Sequence, residues 1–235
     1  MFRRLRPTHD VVLTAVTPLT PTLTRLTFAG PTLAALGVEF PTQWVKLAIP
    51  DGQSRAYTIR HHRPAQQEVD LDVVLHGGGP LSRWASVARP GARARLVGPR
   101  GGRPALDGAA HLLLAADETA LPAALTLLEQ LPAGTRVSAH FEIATAADAL
   151  PLATRADLTV RWLPRDAGGG HGVPGDKGRL FARSATAAEP PPGSAAWVAG
   201  EASAVDDVRR HLLAGRAVPR ELLHAKGYWR HGRPL

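Results

Sequence analysis

The feature that most constrains this chain is a change of pattern across residues 98–104, GPRGGRP. Before it, apolar residues recur in short runs, at 11–16, 23–29, 44–49, 55–60, 69–75 and 93–97. Proline and glycine separate these runs, as at Gly30-Pro31, Pro50-Asp51-Gly52 and Pro90-Gly91. Short strands at such spacing predict an antiparallel barrel, with one helical turn inserted at 31–37. After it, residues 111–116 form a continuous apolar run, as a strand buried on both faces would. A helical spacing of Leu121, Ala124, Leu125 and Leu128 follows within 120–131. Further strands are expected at 137–143, 158–163 and 195–199, and a helix at 204–213 with Val205, Val208 and Leu212 inward. Strands alternating with helices imply a parallel sheet covered on both faces. The expectation is an N-terminal antiparallel β-barrel (1–104) followed by a C-terminal α/β domain (105–235).

Composition removes several classes of function. The chain has no cysteine, which excludes disulfides, cysteine-ligated iron–sulfur clusters and cysteine-based zinc sites within it. Its ten histidines show no metal-ligand pattern; the neighbours His61 and His62 point to opposite faces of an extended strand. The net charge is +8, carried by arginines apart from Lys46, Lys177 and Lys226. These charges are scattered and form no basic helix, so no nucleic-acid partner is expected. No apolar run is long enough to span a bilayer, and the basic start MFRRLRPTHD lacks the apolar stretch of a secretory signal. The reading is a cytoplasmic monomer without a membrane partner.

The chemistry concentrates in residues 54–84, SRAYTIRHHRPAQQEVDLDVVLHGGGPLSRW. One strand carries Arg55, Tyr57 and Thr58, and a second alternates Val69, Leu71, Val73 and Leu75. His76 and the run Gly77-Gly78-Gly79 lead into Pro80 and a short helix at 81–88. Glycines let backbone N–H groups approach a ligand, and a helix start attracts a phosphate, here near Ser82. Arg55 offers a forked charge and Tyr57 a flat face, which together suit a pyrophosphate joined to an aromatic ring. The alternative is an ordinary glycine turn with a solvated arginine and a packing tyrosine. In the second half, residues 117–120 and Gly200-Glu201 fall at strand ends, where parallel sheets bind ligands. Alternatively Asp117 or Thr119 is a helix N-cap and Gly200 a turn. No G-x-G-x-x-G follows residues 111–116; Glu142 would disfavour a 2′-phosphate, whereas Arg161 or Arg165 would accept one. Residues 164–179 read as a mobile glycine-rich loop, and 189–193 as a stiff proline connector.

Arg55-x-Tyr57-Thr58 resembles the flavin-binding motif of the ferredoxin-reductase superfamily. With Arg60, His76-Gly77 and Gly79-Pro80-x-Ser82-x-Trp84-Ala85, it resembles the siderophore-interacting proteins, flavin-dependent ferric-siderophore reductases. Asp117-Glu118-Thr119-Ala120-Leu121-Pro122-Ala123, Ala199-Gly200-Glu201-Ala202 and Gly227-Tyr228-Trp229-Arg230-x-Gly232 resemble that family's later segments. The resemblance implies FAD on the barrel. Arg55 would pair with its pyrophosphate, Tyr57 stack near the ring and Thr58 bond near the reactive edge. The N–H groups of Leu81 and Ser82 would hold the pyrophosphate, with Leu75, His76, Gly79 and Trp84 lining the site. It further implies NADPH or NADH at Asp117, Glu118, Thr119, Ala120, Gly200 and Glu201, and a ferric siderophore drawn by Lys46, Arg63, Lys226 and Arg230. Trp229 either covers a cofactor or docks the C-terminal segment on the core. Hydride passes to FAD and single electrons to iron, so no acid–base residue is expected. A reductase of the same fold with another acceptor, or a non-catalytic anion- or siderophore-binding protein, are the alternatives.

Overall fold

The computed structural model describes residues 6–106, 108–168, 177–215 and 217–232. The chain divides into two compact units, Met1–Arg103 and Pro104–Leu235.

In the first unit the short apolar runs become a closed six-strand antiparallel barrel. The strands are β1 (Thr8–Pro18), β2 (Leu23–Ala29), β3 (Trp44–Ala48), β4 (Ser54–Arg63), β5 (Glu68–Val74) and β6 (Arg93–Arg100). They are arranged β1-β2-β5-β4-β3-β6, and β6 returns to β1. Closure leaves no free sheet edge. One set of alternate residues fills the core, among them Leu13, Leu26, Phe28, Val45, Leu47, Ile59, Leu71 and Leu96. Pro31–Ala35 is the inserted turn, of 3-10 type. Helix α1 (Pro80–Val87) follows β5. β6 runs on through Gly98 to Arg100, so the glycine-rich segment begins as barrel strand.

The other face of β5 is not solvated as its alternation suggests. Asp70 and Asp72 are both buried. Asp72 takes a bidentate pair from Arg25 at 2.7 and 2.9 Å. Asp70 takes both ends of the Arg63 guanidinium at 2.7 and 2.8 Å, the Thr27 hydroxyl at 2.8 Å and His61 Nδ1 at 3.0 Å. Burial by itself raises a carboxyl, but these partners outweigh it and hold Asp70 below the usual carboxylate range.

The second unit is a parallel sheet ordered β11-β10-β7-β8-β9. Its strands are β7 (His111–Asp117), β8 (Arg136–Ile143), β9 (Asp157–Pro164), β10 (Ala195–Glu201) and β11 (Leu223–Trp229). Its helices are α2 (Leu121–Leu128), α3 (Arg179–Thr186) and α4 (Ala202–Ala214). One face packs Leu112, Leu114, Phe141 and Trp197 with α2 residues. The other packs Leu113, Ala115 and Val198 with Phe181 of α3 and Val205, Val208 and Leu212 of α4. The apolar run at 111–116 is thus buried from both sides. The helix expected over 120–131 stops at Leu128. The sequence reading contains neither α3 nor β11. In the glycine-rich loop, Arg165–Gly168 forms a 3-10 turn, while 169–176 lie outside the described residues. No described helix is long and apolar enough to cross a membrane.

Replacing Asp70 with Asn removes the charge that two ends of Arg63 meet. The expected loss is about 2–4 kcal/mol at neutral pH, read from urea unfolding. Because the folded-state carboxyl titrates below its unfolded value, its contribution is present above about pH 4 and fades as pH falls below it. The gap between wild type and D70N therefore narrows in acid; a gap independent of pH contradicts the account.

Candidate functional site

In the first unit, β4 pairs with β3 so that Arg55 lies opposite Leu47, Tyr57 opposite Val45 and Thr58 opposite Trp44. Arg55, Tyr57 and Ile59 share one face by strand alternation. Ile59 and Tyr57 pack on the barrel core, while Arg55 emerges into solvent. Burial pushes the Tyr57 phenol up to about 12, against the nearby Arg55 charge, so it stays protonated at neutral pH. The Arg55 guanidinium bonds its own neighbour, the Ser54 carbonyl, at 2.7 Å. The rest of its fork has no partner among the described residues. Thr58 is buried.

After β5, Leu75 N–H donates to the Thr22 carbonyl at 2.7 Å and packs on the core. The chain then turns through Gly79, whose φ of 81° favours glycine, into Pro80 at the start of α1. Ser82 Oγ accepts the His76 N–H at 3.0 Å, and His76 Nδ1 accepts the Gly78 N–H at 3.3 Å. Ser82 therefore holds the glycine turn with its side chain. No side chain caps α1, so its first-turn N–H groups, at Leu81 and Ser82, face the turn uncapped. Leu81 and Trp84 pack against the core. Of the residues expected to draw a siderophore, Lys46 is exposed on β3, but the Arg63 charge is already paired with Asp70 and Glu68.

In the second unit, Asp117 ends β7 and is buried. One of its oxygens accepts the Thr119 N–H at 2.9 Å and hydroxyl at 2.5 Å. The other accepts the Glu201 N–H and the Trp229 Nε1–H, both at 2.8 Å. Burial pushes the Asp117 carboxyl up to about 7; the neighbouring Glu118 charge adds to this and the Thr119 and Trp229 bonds oppose it. The helix-cap alternative for Asp117 or Thr119 is corrected: the N-cap of α2 is Ala120, with no side-chain cap. Trp229 thus ends β11 with its indole N–H bound to Asp117. Glu201 caps α4, accepting the Ser203 and Ala204 N–H groups at 2.7 and 3.0 Å and the Ser203 hydroxyl. Glu142 caps α3 in the same way, through the N–H groups of Gly178, Leu180 and Phe181 at 2.7–3.1 Å.

Glu142 and Arg165, weighed from sequence for a 2′-phosphate, are both engaged by other protein groups. Glu142 is fully buried, and Arg165 is bound to Glu118 through both ends at 2.7 Å and to Glu142 at 3.1 Å. Arg161 lies within β9, in register with His140. Two cavities of about 550 and 560 Å³ meet at Glu201, Ser203, Asp207 and His231 beside the start of α4. Arg209, Arg210 and Arg230 line the first; Lys177, Arg179 and Arg183 line the second. Of these, sequence reasoning had singled out only Glu201 and Arg230. The i, i+4 spacing of Arg179 and Arg183 was the available signal for a basic helix face. Lys226 projects over the Tyr228 ring at 5.7 Å.

Gly200 makes the Asp117 arrangement possible. Its φ is 146°, and a Cβ there would lie 2.5 Å from Asp117 Oδ2. Gly200→Ala is expected to cost roughly 2–4 kcal/mol in urea unfolding. It should also expose Trp229, read as a red-shifted and more quenchable tryptophan emission. Wild-type stability and emission would refute the packing described.

The chain matches the family model for siderophore-interacting protein over residues 109–232, and that for the siderophore-interacting FAD-binding domain over residues 51–103. It is 30% identical to the ferric vibriobactin reductase ViuB of Vibrio cholerae, over 76% of this chain and 65% of that protein. The chain thus spans just under two thirds of that relative's length. It is 28% identical to the NADPH-dependent ferric-chelate reductase of Escherichia coli, over 86% of this chain and 74% of that protein. The crystal structure of a siderophore utilization protein from T. fusca superposes with a TM-score of 0.85 at 32% identity, covering 97% of this chain and 94% of the other. An antiparallel barrel with an uncapped glycine turn, an α/β sheet tied at Asp117, and these matches over both units together show that the chain belongs to the siderophore-interacting protein family.

Proposed function

We propose that this chain reduces ferric siderophores in the cytoplasm, drawing hydride from NADPH or NADH through FAD on the barrel and releasing iron as Fe(II). The observation that carries this is the run β4–β5–α1. It presents the open fork of Arg55, the protonated Tyr57 and the uncapped start of α1 within the segment that matches an FAD-binding family. These residues fit the cofactor. The backbone N–H groups of Leu81 and Ser82 and the Arg55 guanidinium suit a pyrophosphate. Gly79, with no side chain, leaves the approach to those N–H groups clear. Tyr57 supplies a flat apolar face with a hydroxyl donor. When bound, FAD supplies the conversion of a two-electron hydride into single electrons, which no side chain here provides.

The chain's own groups bind and exclude. His76 and Ser82 keep the glycine turn closed on α1, fixing where the N–H groups point. In the second unit the starts of α3 and α4 are occupied by Glu142 and Glu201, so they do not offer open phosphate sites. Recognition of a dinucleotide's phosphates then falls to the arginines lining the two cavities, Arg179 and Arg183, with Arg209 and Arg210 ion-paired to Asp206 and Asp207 at the surface. Lys46, exposed and positive on β3 of the first unit, suits an anionic ferric siderophore. Relatives named as ferric vibriobactin reductase and NADPH-dependent ferric-chelate reductase support the same reading.

The test is the visible spectrum of protein loaded with FAD and desalted. Retained flavin bands that bleach anaerobically with NADPH or NADH, and return on adding a ferric siderophore, are expected. Bleaching without return assigns another acceptor. Arg55→Ala is expected to weaken FAD retention by about tenfold to a hundredfold at unchanged thermal stability of the apoprotein. A folded wild type that retains no FAD overturns the proposal. A separate check uses Arg179→Gln/Arg183→Gln: KM for NADPH should rise several-fold, more steeply at low salt, with FAD retention unaltered.

A further inference from the structure

The side of the parallel sheet beneath α3 is unexpectedly polar away from the strand ends. In register across β7, β8 and β9 lie Leu113, Ser138 and Thr159, and next to them Ala115, His140 and Arg161. α3 and the segment after it roof these rows incompletely, leaving a cleft of about 270 Å³. It sits over the starting halves of the strands, apart from Asp117 and Glu201 at their carboxyl ends.

Two histidines line the cleft, and they differ. His111 has both ring nitrogens occupied, by Ser194 and Ser138 at 2.9 Å each. His140 is only 4% exposed, and its Nδ1 meets Ser184 Oγ at 2.7 Å. Its Nε2 has no partner among the described residues, yet it is not sealed from solvent. It is therefore a polar group of a nearly buried side chain that an occupant of the cleft can reach. Beside it in register, Arg161 is exposed and makes neither an ion pair nor a hydrogen bond among the described residues. Burial and the Arg161 charge hold His140 neutral, with its pKa lowered to about 4. The Nδ1–Ser184 contact admits either tautomer; in the one where the Ser184 hydroxyl donates, the ring proton stands on Nε2 and is available to an acceptor.

The cleft therefore offers a planar cationic fork and one neutral donor, beside the apolar surface of Ala188 and Pro190. A carboxylate matches the fork in shape. It also matches in charge: Arg161 supplies one positive charge, and Glu189 on the lining disfavours a dianion. The volume lies below the range of drug-sized sites, which limits the occupant to a small molecule. We propose that this cleft binds a small organic carboxylate, its headgroup held by Arg161 and the His140 Nε2–H and its apolar body against Ala188 and Pro190. The site does not depend on the reductase reading: of its residues only Arg161 was weighed from sequence for a dinucleotide, and none is among the groups to which FAD or dinucleotide binding is assigned above.

The full chain, with histidine rings isotope-labelled, is titrated at neutral pH with benzoate, benzyl alcohol and inorganic phosphate. NMR follows the His140 ring signals, assigned by their loss in His140→Gln. Benzoate is expected to shift them saturably in the millimolar range. Arg161→Gln, a change at an exposed position, is expected to weaken that binding about tenfold or more. Benzyl alcohol and phosphate are expected to give no saturable shift over the same range. The proposal is overturned by the absence of saturation with benzoate up to about 50 mM, by binding that survives R161Q unchanged, or by phosphate binding as tightly as benzoate.

Discussion

The second unit depends on one buried carboxylate. Asp117 gathers donors from its own turn, from the end of β10 and from the side chain that ends β11. Three parallel strands are thereby fixed at the same level, at the end where such sheets present their ligand-binding loops. A carboxylate can do this because its two oxygens together accept several donors, which an amide or hydroxyl cannot match. The neighbouring backbone has to leave room for it, and Gly200 does so by having no Cβ.

This half lacks a glycine-rich dinucleotide fingerprint, and carboxylates fill two of its helix starts. In that fingerprint, backbone N–H groups at a helix start receive the pyrophosphate. Here the starts of α3 and α4 are already filled by Glu142 and Glu201. A phosphate there would meet like charge instead of free donors. The barrel shows the opposite arrangement, with α1 left uncapped after its glycine turn. The two units thus offer anions two different kinds of surface, backbone donors in the first and arginine side chains in the second.

The barrel and the parallel sheet could be read from sequence because periodicity and Pro/Gly punctuation report local backbone geometry. β5 shows the limit. Its alternation of Val69, Leu71 and Val73 was legible, but nothing local shows that Asp70 and Asp72 between them are buried on Arg63 and Arg25, partners supplied by neighbouring strands. α3 escaped notice because it is a short helix whose apolar face is little more than Phe181, Ala182 and Ala185. β11 escaped because Gly227 interrupts its pattern and Lys226 breaks its apolar run. At the candidate site, Arg55, Tyr57 and the glycine turn were recognisable as a string. That Ser82 holds the turn with its side chain, that Arg63 is already paired, and that Glu142 is a helix cap all follow from tertiary contacts.

Closure of the barrel also governs the order in which the chain can organise itself. Its seam joins residues Thr8 to Val12 of β1 to Arg93 to Val97 of β6. Nearly the whole unit must therefore be present before the last strand pair forms, and the chain entropy lost in that step is that of a long loop. The second unit has no comparable seam: its sheet grows through strand–helix crossovers, and its own core is complete without the barrel. During synthesis, the barrel's first strand waits with an unpaired edge until the last is made, the interval in which a chain of this topology is most open to pairing with a neighbour.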